Sequence, residues 1–361
     1  MDKSFYKILE GYNPFCELKD ELKENKKNNI VSVNGLTSGS MTHITASLTY
    51  ALDKPSVLVC KNINEAEKIR NMAEFFGIDV YLLHPHEFVY YEIYAKSENE
   101  KRELIMFYEA FYNKRKGLYI LTPNAFLTPV PKKELIEKNC FTIKIGDEIP
   151  SKKLGELLSY YERTDVTEAQ GQYSIRGGIA DIFPYTSNKP YRIEFFGDEV
   201  DSIRVFDPIT KLSEKKIDEA YITNLSEYMV SDPKILSEKL QKLSEKSENS
   251  AIKETLERDK DRILTDGGLY CYDRYFPLIS DDLAMLSDYI DSDFSVFADD
   301  PNAIYENMEN MYAEHSEYIV DLVSKGTVIK ENAEFFKSPI DDFLKLYRNT
   351  VVHFGFIRDN F

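Results

Sequence analysis

Apolar positions follow two different rhythms along this chain, and the change between them divides it. Short apolar runs at 29–33, 56–60, 80–83 and 118–121 alternate with helical periodicity ending near 51, at 62–76 and at 98–113. Strand followed by helix, repeated, predicts a parallel sheet flanked by helices over the first ~135 residues, with 29–33 as a buried strand. Beyond Pro129, Val130 and Pro131 the period drops to two. A strand at 141–145 and a helix over 152–162 lead into two hairpins, in which Tyr173 and Ile175, then Tyr191, Ile193 and Phe195, take alternate places. Ser174, Arg176, Arg192, Glu194 and Phe196 then point away from the core. Gly177-Gly178 and Gly197-Asp198 stand where tight turns reverse the strands, and Pro184 and Pro190 bracket the connection between the hairpins.

The helical rhythm returns at 232–266, a charged stretch with Leu236, Leu240 and Leu243 on one stripe and little else to bury, which reads as an exposed helical pair serving as a connector. Strands at 269–272 and 294–298 and a helix over 301–324 then resume the α/β pattern. Asp299-Asp300-Pro301 fits an N-cap followed by proline at the first helical position. The expected fold is therefore α/β, a parallel sheet flanked by helices and split by an inserted small α+β domain of antiparallel hairpins. Its expected boundaries are 1–137, 138–225 and 226–361.

Charge narrows the partners. With 62 acidic against 45 basic residues the formal charge is −17, which argues against a chain that grips the phosphate backbone unaided and leaves room only for a local basic groove. Cys16, Cys60, Cys140 and Cys271 are widely spaced and form no C-x-x-C pair, so neither a zinc site nor a disulfide framework is expected. There is no apolar run of membrane-spanning length and no apolar leader, and the expectation is a cytoplasmic protein with no membrane partner.

One loop has the outline of a phosphate-binding turn. Gly35, Gly39 and Thr42 keep the spacing of G-x-x-x-x-G-K-[ST] in part, but Met41 stands at the lysine position and Ser40 at the second glycine. Loss of the cation that reaches the phosphates predicts a fold that was kept and an ATP site that was not. Weak anion binding and a working ATPase are the alternatives. His84-Pro85-His86-Glu87 has the composition of a metal site but reads as a loop histidine pair, and Tyr90, Tyr91 and Tyr94 could stack on bases but more often pack at a strand-to-helix junction. No acid/base pair or nucleophile stands out, so neither a catalytic site nor a metal is expected.

The order of motifs in the hairpin region narrows the reading further. Y-E-R at 161–163, Y-S-I-R-G-G-I-x-D-I-F-P from Tyr173, R-I-E-F-F from Arg192 and V-D-S-I-R-x-F-D-P from Val200 closely resemble the domain shared by UvrB and the bacterial transcription-repair coupling factors. The resemblance implies a helicase-like α/β domain split around an inserted domain that binds UvrA, the damage-sensing subunit of nucleotide excision repair. It assigns the UvrA contact to Arg176, Arg192 and Phe196, with Arg204 as a further candidate. An aromatic anchor beside guanidinium groups is also what a docking surface needs, whereas plain exposed strand arginines would pair with Glu194 or neighbouring acids. On this reading Arg192→Ala costs on the order of 2 kcal/mol in UvrA affinity without unfolding the chain.

UvrB keeps the phosphate-loop lysine and carries a long aromatic hairpin before the helix that here begins near Glu98. This sequence has Met41 and only a few residues at that point. The resemblance therefore implies the N-terminal, UvrB-like module of a coupling factor, cut from a longer protein and itself non-catalytic. ATP and magnesium belong, in that family, to the motor of the full-length protein, as do RNA polymerase and double-stranded DNA as partners. The competing readings are a UvrB-like, DNA-dependent ATPase with a drifted phosphate loop and a free-standing DNA-binding protein.

Overall fold

A computed structural model describes residues 6, 8–90, 97–266, 269 and 271–355. Parallel pairing organises one unit, built from residues 1–95, 110–130 and 232–361, and mostly antiparallel pairing a second, residues 96–109 and 131–231. Along the chain come helix Asn13–Glu24, β1 Ile30–Asn34, helix Ser38–Leu52, β2 Ser56–Val59, helix Ile63–Phe75, β3 Val80–Leu82, helix Glu98–Tyr112, β4 Leu118–Leu121 and the short β5 Val130–Pro131. The second unit supplies β6 Cys140–Lys144, helix Ser151–Leu157, β7 Glu162–Arg163, β8 Gln172–Arg176, β9 Ile179–Ile182, β10 Tyr191–Phe196, β11 Glu199–Phe206, β12 Ser213–Ile217 and β13 Glu219–Thr223. The chain returns through helices Pro233–Lys246 and Ser250–Asp266, β14 Leu283–Ala284, β15 Ser295–Asp299, helix Pro301–Ser324 and β16 Val351–Gly355.

The first unit's sheet runs β1-β16-β15-β2-β4-β3 with every neighbouring pair parallel, the helicase-like α/β arrangement. Every residue of β2 and β4 is buried, as central parallel strands covered on both faces require. Leu48 and Ile69 from the flanking helices pack on Leu58, Ile120, Phe297 and Val352. Helix starts follow local chemistry. Asn62 accepts a hydrogen bond from the Glu65 N–H (3.0 Å), and Asp300, ahead of Pro301, accepts one from the Ala303 N–H (3.3 Å).

Several expectations change. The strand expected to be buried at 29–33 is an edge strand, because β1 pairs only with β16, and Ile30 is half exposed. Its neighbour β16 was not expected at all, although Val351 and Val352 are fully buried beside β15. No strand forms at Leu269, Cys271 or Tyr272, and a 3₁₀ turn over Asp273–Leu278 follows instead. The helix expected over 152–162 stops at Leu157, which frees Glu162 and Arg163 to pair with β8. The charged pair at 233–266 is two helices, but more than a connector. Leu236, Leu240, Leu256 and Ile263 are buried, and the equally buried Asp259 accepts from the Tyr275 hydroxyl at 2.7 Å and lies 3.4 Å from Arg274.

In the second unit the sheet order is β12-β11-β10-β9-β8-β7, with β6 and β13 paired separately. Its inner face packs Tyr173, Ala180, Ile182, Ile193 and Ile203 against Leu154, Leu158 and Ile222. The two expected turns form. Gly177 and Gly197 take φ of 58° and 65°, left-handed values that suit glycine, while a Cβ on Gly178 would come within 2.9 Å of the Phe195 carbonyl oxygen.

Candidate functional site: a charged sheet face and a filled loop

Alternation and register bring the four expected docking residues onto one face of the second unit's sheet, from β8, β10 and β11. Two rows of side chains cross that face. Ser174, Asp181, Arg192, Arg204 and Lys216 are successive partners across β8 to β12, and Arg176, Ile179, Glu194 and Ser202 form the next row. The rows carry four cations against two carboxylates, an inversion of the chain's overall sign. Phe196 follows Glu194 at the turn end of β10 and is 82% exposed.

The arginines are not equivalent. Arg192 does pair with a neighbouring acid, as a plain strand arginine would, but with Asp181 rather than Glu194: its Nε and Nη2 donate to the two oxygens of Asp181 at 2.7 and 2.8 Å, and its guanidinium lies 4.6 Å from the Phe206 ring centre. Asp181 and Phe206 are both buried. A fork-to-fork pair over an aromatic ring fixes the guanidinium plane and leaves three of its five donors for a partner. Arg176 is more exposed and lies 3.9 Å from the same carboxylate. Arg204 donates to Glu194 at 3.2 Å, as does the Ser202 hydroxyl at 2.6 Å, while Arg204 Nε has no hydrogen-bond partner. Ser174 faces away from the core as expected, yet it is covered. Thr167 Oγ1 lies 3.1 Å from Ser174 Oγ and from the Asp181 carbonyl, so this stretch roofs one edge of the face. The motif reading passed over Asp181 and Ile179 as functional positions, although Ala180 and Ile182 point inward and alternation alone places their neighbours outward.

The other candidate, Gly35 to Thr42, forms the expected strand-to-helix turn, with Gly35 at φ 79°. Its polar groups are occupied internally. Thr37 Oγ1 accepts from the Ser40 N–H at 3.3 Å, Thr42 Oγ1 donates to the Ser38 carbonyl at 2.8 Å, and the Ser38 hydroxyl donates to Glu65 at 2.5 Å. Met41 is 3% exposed and part of the core. It lines a cavity of about 10 Å³ together with Lys61, Asp299 and Gly355, room for about one water. Asp299 is buried there with Oδ2 unbonded, and burial, opposed by Lys61 and reinforced by Glu65 and Asp300, pushes its carboxyl up to about 6.

The remaining candidates have structural partners. His86 Nε2 lies 3.0 Å from the buried Asp273 carboxylate, which also accepts from the Val89 N–H at 2.6 Å. Tyr90 is fully buried and its hydroxyl lies 3.0 Å from Nε2 of His315, whose pKa burial lowers to about 4. Tyr91, Tyr94 and the short stretch before Glu98 lie in part or wholly outside the described residues. Among the described residues no group of three His, Cys, Asp or Glu side chains could hold a metal ion, and no helix is long and apolar enough to cross a membrane.

Residues 141–228, which contain this sheet face, match the UvrB interaction domain family. The chain is 27% identical to the transcription-repair-coupling factor of Bacillus subtilis, over 90% of this chain and 28% of that protein. It is 30% identical to that of Staphylococcus epidermidis, over 82% of this chain and 26% of that protein, and 28% identical to that of Staphylococcus aureus over 81% and 26%. The chain thus spans about a quarter of the length of these curated relatives.

Proposed function

We propose, from the premise that this relative of the transcription-repair-coupling factors carries a UvrB interaction domain at 141–228, that the chain is a non-catalytic adaptor which recruits UvrA to RNA polymerase stalled at DNA lesions. One observation carries the reading: Phe196, 82% exposed, stands on a glycine-fixed turn at the end of a sheet face whose arginines are held in place. An exposed aromatic beside oriented guanidinium groups has the composition of an interface hot spot, and its position is set before any partner arrives. Arg176 and the free edge of Arg192 supply charge-assisted contacts to carboxylates. Arg204, tied to Glu194, acts at the margin.

Nothing in this role asks the chain to bind nucleotide. The loop at Gly35 to Thr42 offers a cavity of about 10 Å³, far below the few hundred Å³ of a ligand site, and Met41 would have to leave the core before phosphates could enter. ATP and magnesium would be used by a motor elsewhere in the full-length protein, which would also engage polymerase and duplex DNA.

The test is a calorimetric titration of this chain with purified UvrA. Wild type should bind, and Phe196→Ala should weaken binding about 30-fold or more with no change in melting temperature. Absence of wild-type binding, or an unaltered Phe196→Ala isotherm, would overturn the assignment. Heat evolved with ATP and magnesium by the chain alone would instead favour a drifted ATPase.

A further inference from the structure

The three most exposed large apolar side chains among the described residues of the second unit are Ile209 (87%), Phe196 (82%) and Leu212 (68%). Phe196 stands at one end of the β10–β11 hairpin. Ile209 and Leu212 stand at the other, on the 207–212 loop between β11 and β12.

That loop is built rather than slack. Asp207 Oδ1 accepts from the N–H groups of Ile209 (2.9 Å) and Thr210 (2.7 Å) and from the Thr210 hydroxyl (3.1 Å). Backbone bonds from Asp207 N–H to the Leu212 carbonyl (3.0 Å) and from Lys211 N–H to the Asp207 carbonyl (2.9 Å) close it. Lys211 then donates from Nζ to the Thr167 carbonyl at 2.9 Å, and Thr167 lies against Ser174 on the side of the sheet that carries Arg192. Lys211 therefore ties the loop to the stretch that covers Ser174 on the charged face. Fixing a loop backbone so that two aliphatic side chains stand in water gains nothing for the fold, and exposed apolar groups presented this way mark contact sites.

We infer that Ile209 and Leu212 form a second apolar anchor for the protein that takes Phe196, so that this partner presents an acidic strip between two apolar recesses roughly 20 Å apart. The inference rests on the docking reading above. The spacing follows from the six residues of β10, at about 3.3 Å each, and a standard interface of about 800 Å² per partner is about 30 Å across, wide enough to cover both ends. The acidic strip follows from the four cations and two carboxylates that lie between them in a chain of charge −17.

The experiment titrates purified UvrA with wild type, with Phe196→Ala and with the double variant Ile209→Ser/Leu212→Ser. The double variant is expected to bind at least tenfold more weakly with an unchanged melting temperature. Binding within twofold of wild type, while Phe196→Ala is weakened, overturns the second anchor and leaves the docking reading standing. No binding by wild type overturns both. Sedimentation of the chain alone is the companion measurement. Self-association abolished by the double variant would put a second copy of the chain on the loop and overturn the inference as well.

Discussion

The turn after β1 and the outer face of β8 to β12 each carry polar groups that a ligand could use, and they are finished in opposite ways. At the turn, Thr37, Ser38 and Thr42 spend their hydrogen bonds on their own backbone and on Glu65, and the large apolar residue, Met41, goes inward. On the sheet face Asp181 and Glu194 hold Arg192 and Arg204 by part of their donor sets, and the large apolar residue, Phe196, goes outward. Burying Phe196 instead would gain about 2 kcal/mol, so its exposure is a cost to the fold. The contrast shows that a motif's outline says less about binding than where its one bulky side chain points.

Met41→Ala gives the largest effect that would break this comparison. Truncating a fully packed core side chain should lower unfolding free energy by about 3 kcal/mol in a urea titration, whereas Phe196→Ala should change it by less than about 0.5 kcal/mol. Equal losses for the two would mean that the turn and the face are not finished differently.

Arg192 sharpens the comparison from the other side. The expectation that Arg192→Ala reports only on docking needs amending, because the substitution also leaves Asp181, 3% exposed, without its bidentate partner. A loss of about 2 kcal/mol in stability should accompany any loss of UvrA binding. Arg192→Lys keeps the charge but not the fork, and should recover part of the stability by the same urea measurement. Identical melting of wild type and Arg192→Ala would show that the pair contributes nothing to the fold.

How much of this could be read in the sequence depends on how local the cause is. Two-residue glycine turns, the Asp300-Pro301 helix start and the alternation along β10 are written in neighbouring residues, and each forms as expected. β16 is not. Val351 to Gly355 is a five-residue run with no period of its own, and it becomes an interior strand only because β15, at Ser295–Asp299, and β1, at Ile30–Asn34 near the other end of the chain, flank it. The same holds at the candidate site. Arg176, Arg192, Phe196 and Arg204 are found by alternation and motif, but that Arg192 meets Asp181 rather than Glu194 is a matter of cross-strand register, and that Thr167 roofs Ser174 is a matter of loop path. The closed turn was half legible: Met41 announces the missing lysine, while the burial of Asp299 behind it needs the sheet order.

Asp299 provides the test most specific to the closed turn. Its carboxyl titrates near 6 in the fold against 3.8 when unperturbed, since burial with an unbonded oxygen disfavours the charged form more than Lys61 favours it. A raised acid pKa means that between about pH 4 and pH 6 the folded chain keeps a proton the unfolded chain has released. Stability from this group is therefore greatest below pH 4, falls as pH rises through 6 and stays reduced above it. Asp299→Asn should remove that slope. The variant should match wild type near pH 4 and exceed it by roughly 3 kcal/mol at pH 8, read as the difference between two urea titrations at each pH. Were a cation to occupy the cavity in solution, the carboxylate would be stabilised instead, and the same substitution would lower stability at pH 8. The sign of one difference thus decides whether the turn is filled by Met41 alone or still holds a ligand.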